Sequence, residues 1–255
     1  MADAPDQPVP GDAAWAQHGS RVRLEWGPVG AGVLAPADVA VVVDVLSFTT
    51  TLTVAVERGI EVLPFRWRDE RAAAFAAERD AVLAVQRQDA LDRGGVSLSP
   101  ASLATAEGVR RLVLPSPNGS SICALLAGSG ATVVGACLRN RSAVAAWLAP
   151  RVVAGATVAL VPAGERWPDG SLRPAVEDLW GAGAVLDALG RADLSTEAEV
   201  AVAAFRAARL PEALATCSSG RELVAGGFGE DVDIAAGLDA SAVVPVLRDG
   251  VFVAA

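Results

Sequence analysis

The feature that most constrains the fold is an apolar run that ends in a carboxylate. Apart from Asp38, residues 37–43 are all Ala or Val, and Asp44 follows them directly. A short β-branched run of this kind is typical of a strand buried on both faces of a parallel sheet. A plausible helix begins soon afterwards with the threonines at 49–51. The run therefore predicts a strand–turn–helix unit of an α/β fold, with Asp44 at the carboxyl end of the strand.

The position of Asp44 at the carboxyl end of a strand suggests a role in ligand binding or catalysis. In open α/β sheets, ligands bind beyond the carboxyl ends of the strands, and the free N–H groups at a helix N-terminus attract anions. A carboxylate beside an anion site indicates phosphate chemistry. Asp44 is then the catalytic residue or a metal ligand, and Thr49 and Thr50 are phosphate ligands. The alternative is that Asp44 and the threonines only cap the helix.

The residue types that are absent from the sequence exclude several mechanisms. The chain has no Lys and no Tyr, and its single His, His18, lies near the N-terminus. A catalytic triad with a His base, a Schiff base and a Walker A phosphate loop are therefore excluded. The three cysteines lack CxxC spacing, which argues against a zinc site and favours buried thiols. Carboxylates, arginines, hydroxyls and backbone N–H groups remain for catalysis, together with a hard cation.

Length and charge narrow the class of protein further. The 255 residues, of which 52% are hydrophobic, are enough for one large or two small domains. The net charge of −9 argues against nucleic acid as the main partner. We expect no membrane span, because no apolar run approaches 18 residues. The acidic N-terminus is unlike a signal peptide, so we expect a cytoplasmic protein with a loose tail over residues 1–19 and one domain over 20–255.

Strand and helix patterns alternate along the chain. Predicted strands after the first helix cover residues 60–64, 82–85, 111–115, 131–136, 156–161 and 243–246, and another covers 21–26. Predicted helices cover residues 70–82, 121–127, 141–148, 176–189, 196–208 and 218–224. This rhythm predicts a mostly parallel sheet covered by helices, with a weak subdivision near residue 150. Pro245 cannot donate to a ladder and predicts an edge strand, and Asn140 is expected to cap a helix.

A second candidate anion site follows the strand at 111–115. The next residues are Ser116-Pro117-Asn118-Gly119-Ser120-Ser121. The Asn118-Gly119 pair favours a positive φ, which bends successive N–H groups into a concave nest. Ser116 and Ser120 add hydroxyl donors for phosphate. An ordinary turn with serine caps is an equally good interpretation of the local sequence.

Adjacent carboxylates, Glu177 and Asp178, begin the helix predicted at 176–189. They complement the positive end of the helix dipole, which is the favoured interpretation from local sequence. They are also candidate ligands of Mg2+ together with Asp44, since this cation takes one or two carboxylates plus phosphate oxygens.

Arginines are the candidate cationic ligands of phosphate. Arg87 ends the strand at 82–85, and Arg166 follows the strand at 156–161. A guanidinium can hold an anion with two parallel hydrogen bonds. For Arg87, a solvated surface position is the alternative.

The ordered set of motifs resembles the 2-phosphosulfolactate phosphatase family. The motifs are residues 43–51, 116–120, 163–166, 177–179 with 182–183, and 219–223. The resemblance extends from about residue 20 to residue 250. It implies an Mg2+-dependent phosphatase that releases phosphate from (R)-2-phospho-3-sulfolactate in coenzyme M biosynthesis. It also implies a layered α/β/α fold with a mostly parallel or mixed sheet in two α/β parts, and a homodimer is the candidate assembly. Asp44, Asn118 and Gly119 match the motif residues of the family.

Three positions depart from the family pattern. Gln86 stands where the family has Glu, Leu98 where it has Asn, and Ser47 where an Arg often follows Asp-Val-Leu. If the family Glu is a metal ligand, Gln86 weakens Mg2+ binding. If the family Glu orients Arg87, Gln86 alters substrate affinity instead. Gln86 and Leu98 favour an alternative function, a phosphate-binding protein that has kept the fold and lost turnover.

Overall fold

The computed structural model describes residues 14–66, 69–190 and 193–255. The strands are β1 (Val22–Leu24), β2 (Val39–Val43), β3 (Glu61–Phe65), β4 (Val82–Leu83), β5 (Arg111–Pro115), β6 (Thr132–Ala136), β7 (Val158–Pro162), β8 (Glu165–Arg166), β9 (Leu172–Arg173), β10 (Pro245–Arg248) and β11 (Val251–Ala254). The helices are α1 (Gly27–Leu34), α2 (Phe48–Glu57), α3 (Glu70–Glu78), α4 (Arg87–Arg93), α5 (Pro100–Ala104), α6 (Gly119–Ala127), α7 (Arg141–Val153), α8 (Val176–Leu189), α9 (Thr196–Ala207), α10 (Glu212–Thr216), α11 (Ser218–Ala225) and α12 (Gly229–Ala236).

The main sheet consists of two parallel halves joined by an antiparallel hairpin. Its strand order is β1-β7-β2-β6-β10-β11-β3-β5-β4. Strands β1, β7, β2 and β6 are parallel to one another, and so are β3, β5 and β4. The hairpin β10–β11 pairs antiparallel with β6 on one side and with β3 on the other. The predicted α/β class, the mixed sheet and its two α/β parts are thus confirmed.

Helices α2 and α6 lie between the two halves of the sheet. Both contact β6 of the first half and β3 of the second, and their apolar side chains share one core with residues of β2 and β5. Helices α7, α8 and α9 cover the other face of the first half, and α3 covers the outer face of the second. Because α2 follows β2 and α6 follows β5, this layering brings the carboxyl ends of β2 and β5 together.

The prediction that Pro245 marks an edge strand is wrong. Strand β10 lies inside the sheet, between β6 and β11. Pro245 is the first residue of β10 and pairs with Ala254 at the end of β11. A proline at the first position of a strand can be tolerated without breaking the ladder further along. The lack of an N–H group at Pro245 therefore fits the first residue of a strand that lies inside the sheet, and it does not mark an edge strand.

The side chain of Asn140 does not cap α7 as predicted. Asn140 occupies the N-cap position, but its side chain makes no capping hydrogen bond. Its Oδ1 instead accepts from the N–H of Cys137 at 2.9 Å, and its Nδ2 donates to the carbonyls of Gly135 and Val243. The fully buried amide thus joins the end of β6 to the segment before β10.

The part of the N-terminal tail that the structure describes packs on the domain. Gln17 Nε2 donates to the carbonyl of Leu24 at 2.8 Å, and Arg23 Nη1 donates to the carbonyl of Ala16 at 2.9 Å. The tail prediction for residues 1–13 lies outside the described residues. Residue 150, where a weak subdivision was predicted, lies within α7.

None of the helices in the described ranges is both long and apolar enough to cross a bilayer.

Candidate active site

The carboxylate of Asp44 is held by the first residues of two helices. Its Oδ1 accepts a hydrogen bond from the N–H of Phe48 at 3.2 Å, and its Oδ2 accepts from the N–H of Gly119 at 3.0 Å. Phe48 begins α2 and Gly119 begins α6. Both positive helix ends therefore favour a negative charge at this point. The anion that these helix starts hold in the structure is the side chain of Asp44 itself.

Gly119 is required for a different reason from the one expected. It is not among the glycines with positive φ, so the expectation of a left-handed turn there is wrong. A Cβ atom at this position would lie 2.3 Å from Phe48 Cδ1 and 2.8 Å from Asp44 Oδ2. The missing side chain thus permits the close approach of α6 to Asp44.

Asp44 lines a cavity of about 410 Å³. The other residues of its wall are Leu46, Ser47, Arg87, Leu98, Ser116, Pro117, Asn118, Glu165, Arg166, Arg173, Ser219, Glu222 and Leu223. The wall includes four of the predicted phosphate ligands: Arg87, Ser116, Asn118 and Arg166. It also contains Arg173, which the sequence did not indicate. We call this space the Asp44 cavity.

The other hydroxyls predicted to hold phosphate have backbone partners. Thr49 Oγ1 donates to the carbonyl of Asp44 at 2.7 Å, and Thr50 Oγ1 donates to that of Val45 at 2.8 Å. Ser120 Oγ donates to the carbonyl of Leu114 at 2.9 Å. All three donors are fully buried. The hydroxyls fix the turns after β2 and β5, and their contact with phosphate stays a prediction.

Glu165 brings a second carboxyl group to the Asp44 cavity. Asn118 Nδ2 donates to Glu165 Oε2 at 3.0 Å. Burial raises the pKa of the Glu165 carboxyl to about 7, and the negative charge of Asp44 adds to the increase, while the Asn118 hydrogen bond opposes it. A carboxyl group with this pKa can hold and release a proton near neutral pH. Glu165 belongs to a stretch that the sequence analysis singled out, but its proximity to Asp44 follows from the pairing of β2 with β7.

Asp178 connects two turns instead of facing the cavity. Its Oδ1 accepts from the N–H of Val45 at 2.7 Å, and its Oδ2 accepts from the N–H of Gly164 at 2.8 Å. Burial raises the pKa of this carboxyl well above its usual range, and the charges of Asp44 and Glu177 act in the same direction. Asp178 thereby joins the turn that carries Asp44 to the turn that precedes Glu165.

Glu177 is also buried and also lies outside the cavity wall. Cys217 Sγ donates to Glu177 Oε2 at 3.6 Å. Burial raises the pKa of the Cys217 thiol to about 11, and the neighbouring Glu177 charge contributes. Of the three predicted metal ligands, Asp44 is therefore the one that lines the cavity.

Comparison with known proteins decides the family. A model of the 2-phosphosulpholactate phosphatase family matches residues 32–250. The chain belongs to this family. A protein of Thermus thermophilus named "Probable 2-phosphosulfolactate phosphatase" is 36% identical over 236 residues, which are 89% of this chain and 95% of the relative. A protein of Deinococcus radiodurans with the same name is 32% identical over 220 residues, or 84% of this chain and 89% of the relative. The predicted family, a family of phosphoric monoester hydrolases by name, is confirmed.

Of the three departures from the phosphatase family pattern, two lie in the Asp44 cavity and one lies outside it. Ser47 and Leu98 line the Asp44 cavity, and both accept hydrogen bonds from Arg87 Nη2. Gln86 is exposed and lines a neighbouring cavity of about 420 Å³, to which Arg87 and Leu98 also contribute. The side chain at position 86 therefore lines the neighbouring cavity and not the Asp44 cavity.

The oxygen atoms in the wall of the Asp44 cavity fit a cation that is also coordinated by the substrate. Mg2+ needs only one or two protein carboxylates when water and phosphate oxygens complete its shell. Asp44 offers one carboxylate, and the side-chain oxygens of Ser116 and Asn118 lie in the same wall. Within the described ranges, no three or more His, Cys, Asp or Glu side chains are grouped to hold a metal. The donor set thus suits an open site and not a closed protein cage.

Proposed function

We propose that the chain is an Mg2+-dependent phosphatase that hydrolyses (R)-2-phospho-3-sulfolactate to 3-sulfolactate and phosphate. The observation that carries the proposal is the Asp44 carboxylate in the wall of a cavity with three arginines, in a member of this family. Both named relatives support the same substrate. A cytoplasmic location and a homodimer stay predictions from the sequence.

The three arginines in the cavity wall support a substrate with several acid groups. Phosphosulfolactate carries a phosphate, a carboxylate and a sulfonate. Arg173 Nη2 donates to Ser219 Oγ at 3.3 Å, and Arg166 Nη1 donates to the carbonyl of Gly170 at 3.0 Å. Among the described residues, each arginine therefore keeps N–H donors without a protein acceptor. Guanidinium groups hold oxyanions with charge-assisted hydrogen bonds. We assign Arg87, Arg166 and Arg173 to the binding of these acid groups.

Two of the three carboxyl groups in the cavity wall, those of Asp44 and Glu165, supply the chemistry. Asp44 lies at the reacting centre, where it either attacks phosphorus or holds the cation. Mg2+, when bound, supplies positive charge to the phosphoryl oxygens. Glu165 gives its proton to the leaving oxygen of sulfolactate as the P–O bond breaks. The proton resides on Oε1, because Oε2 accepts the hydrogen bond from Asn118.

The test is phosphate release from a panel of substrates with Mg2+ and with a chelator. The panel contains phosphosulfolactate, phospholactate without the sulfonate, and an aryl phosphate. We expect turnover to be fastest with phosphosulfolactate, to stop with chelator and to return with Mg2+. Equal rates of phosphate release from all three compounds would contradict the assignment of phosphosulfolactate as the substrate. Binding of phosphosulfolactate without any phosphate release supports the non-catalytic alternative, which Gln86 and Leu98 favoured. Of these two residues, Leu98 lines the Asp44 cavity and Gln86 does not.

The two roles of Asp44 are separated by trapping the enzyme during turnover. Attack on phosphorus leaves an acyl phosphate, which borohydride reduces to homoserine at position 44. Mass spectrometry of the digested protein detects that change. Unmodified Asp44 under these conditions indicates the role of cation ligand.

A further inference from the structure

The guanidinium of Arg87 is fixed on three sides before any substrate binds. Its Nε donates to Asp231 Oδ2 at 2.8 Å, and its Nη2 donates to Ser47 Oγ and to the carbonyl of Leu98 at 3.0 Å. The ring of Phe228 lies 5.6 Å from the guanidinium carbon. Across the part of the chain that the structure describes, no residue accepts a hydrogen bond from Nη1. The nitrogen without a protein acceptor belongs to a side chain that lines both the Asp44 cavity and the neighbouring cavity of about 420 Å³.

Asp231 is the buried anchor of this arrangement. Its side chain is 1% exposed, against 18% for Arg87. While Oδ2 accepts from Arg87, Oδ1 accepts from Ser99 Oγ and from the N–H of Ala101 at 3.3 Å. Asp231 is not part of the cavity wall. Both of its oxygens are used inside the protein, so Asp231 can affect catalysis only through the groups that it holds, which are Arg87 and the start of α5 next to Leu98.

We propose that Asp231 is a positioning residue that holds Arg87 with Nη1 directed to the phosphoryl group of the substrate. This inference rests on the proposed phosphatase function. A flexible arginine side chain loses rotamer freedom when it binds an anion. The ion pair with Asp231 imposes that loss during folding, so the guanidinium is already oriented when the substrate enters. The pair joins residues 144 positions apart, and it thereby couples the placement of α12 to the cavity.

A double-mutant cycle tests the positioning role. Asp231→Asn replaces two acceptor oxygens with one oxygen and one amide donor, which faces either Arg87 or the Ser99 and Ala101 donors. In the otherwise unaltered protein we expect kcat/KM for phosphosulfolactate to fall about tenfold or more, because misplaced binding groups lose transition-state contacts. In an Arg87→Met protein, the same Asp231→Asn change is expected to alter kcat/KM by less than about twofold, since the two residues act as a unit.

Asp239→Asn is the matched control. Asp239 also holds an arginine and a backbone N–H, since it accepts from Arg141 Nε at 3.0 Å and from the N–H of Ser142 at 3.1 Å. It lies outside the cavity wall. We expect Asp239→Asn to leave kcat/KM unchanged. If Asp231→Asn does not fold, Asp231→Glu is carried through the same cycle, because it keeps the charge and displaces the carboxylate.

The outcomes separate this inference from the proposed function. The positioning role is overturned if Asp231→Asn lowers kcat/KM equally in the unaltered and Arg87→Met proteins. It is also overturned if Asp231→Asn does not lower kcat/KM in the unaltered protein. Calorimetry of the same four proteins gives the dissociation constant for inorganic phosphate. We expect Asp231→Asn to weaken phosphate binding in the unaltered protein and to have little effect on it in the Arg87→Met protein. Absence of turnover in the unaltered protein counts against the proposed function, whereas additive effects on phosphate binding count against Asp231.

Discussion

The carboxylate of Asp44 accepts a hydrogen bond of 3.0 Å from the backbone N–H of Gly119, and this contact joins the two halves of the sheet. Asp44 follows β2 in the first half, whereas Gly119 begins α6 after β5 in the second. The position of the proposed catalytic carboxylate therefore depends on how the halves pack. A change that moves α6 should affect the stability of the fold and the activity together.

Gly119→Ala tests this dependence. The new Cβ would lie 2.3 Å from Phe48 Cδ1 and 2.8 Å from Asp44 Oδ2, so α6 or Asp44 has to shift. We expect the free energy of unfolding in urea to fall by about 1–3 kcal/mol, with a parallel loss of kcat/KM. Gly128→Ala is the control, because it lies at the end of the same helix and its Cβ would meet only Leu125 O at 3.8 Å. Full stability and activity of Gly119→Ala would show that the packing there is loose.

Asp178→Asn tests the connection between the turns of Asp44 and Glu165. An amide offers one acceptor oxygen, so one of the two N–H groups, of Val45 or of Gly164, loses its partner. We expect stability in urea to fall by about 1–3 kcal/mol and kcat to fall as well. Asp38→Asn is the control. Asp38 accepts from the N–H of Thr157 at 2.7 Å and joins the amino ends of β2 and β7, whereas Asp44 lies at the carboxyl end of β2. Only the Asp178 change is expected to lower kcat.

The raised pKa of Glu165 predicts a pH dependence of stability. Burial, together with the charge of Asp44, raises the pKa of this carboxyl from 4.5 to about 7 in the folded protein. The folded state therefore binds the proton more tightly than the unfolded state. The resulting stability is fully present below the unfolded pKa and is lost as pH rises through about 7.

Glu165→Gln should remove this loss, because the amide does not titrate. We expect the melting temperature of Glu165→Gln, relative to the unaltered protein, to increase from pH 4 to pH 8. The proposed role of Glu165 as proton donor also predicts that kcat of the unaltered protein declines as pH rises through about 7. Glu165→Gln should lower kcat and remove this decline. Glu70→Gln, on the exposed start of α3, controls for the removal of one charge. Parallel melting curves for Glu165→Gln and the unaltered protein would contradict the raised pKa.

The local sequence was sufficient to predict the unit around Asp44. A continuous apolar run predicts a buried strand, and Asp44 lies at its carboxyl end as expected. The Asp44 side chain accepts from the helix start at Phe48, as the capping interpretation expects, and it also lines the cavity, where its catalytic role stays a prediction. Gly119 was singled out for a positive φ, whereas the structure requires it for close packing.

The partners of Asp44 could not be predicted, because they depend on strand order. Glu165 approaches Asp44 because β7 pairs with β2, and Arg173 reaches the cavity through the pairing of β9 with β8. Helix α12, which carries Asp231, showed no clear signal, and its contact with Arg87 spans 144 positions. Periodicity and spacing report local structure, and they contain no information about which distant elements pack together.

The most direct test of the account is the turnover of Asp44→Asn. The substitution keeps the size of the side chain, and one oxygen can still accept from Phe48 or Gly119, so we expect the protein to fold. We expect kcat for phosphosulfolactate to fall about a hundredfold or more, since a group at the reacting centre contributes several kcal/mol. Asp169→Asn, in the exposed turn between β8 and β9, should keep full activity. Turnover of folded Asp44→Asn at nearly the unaltered rate would contradict the central claim that catalysis takes place at Asp44.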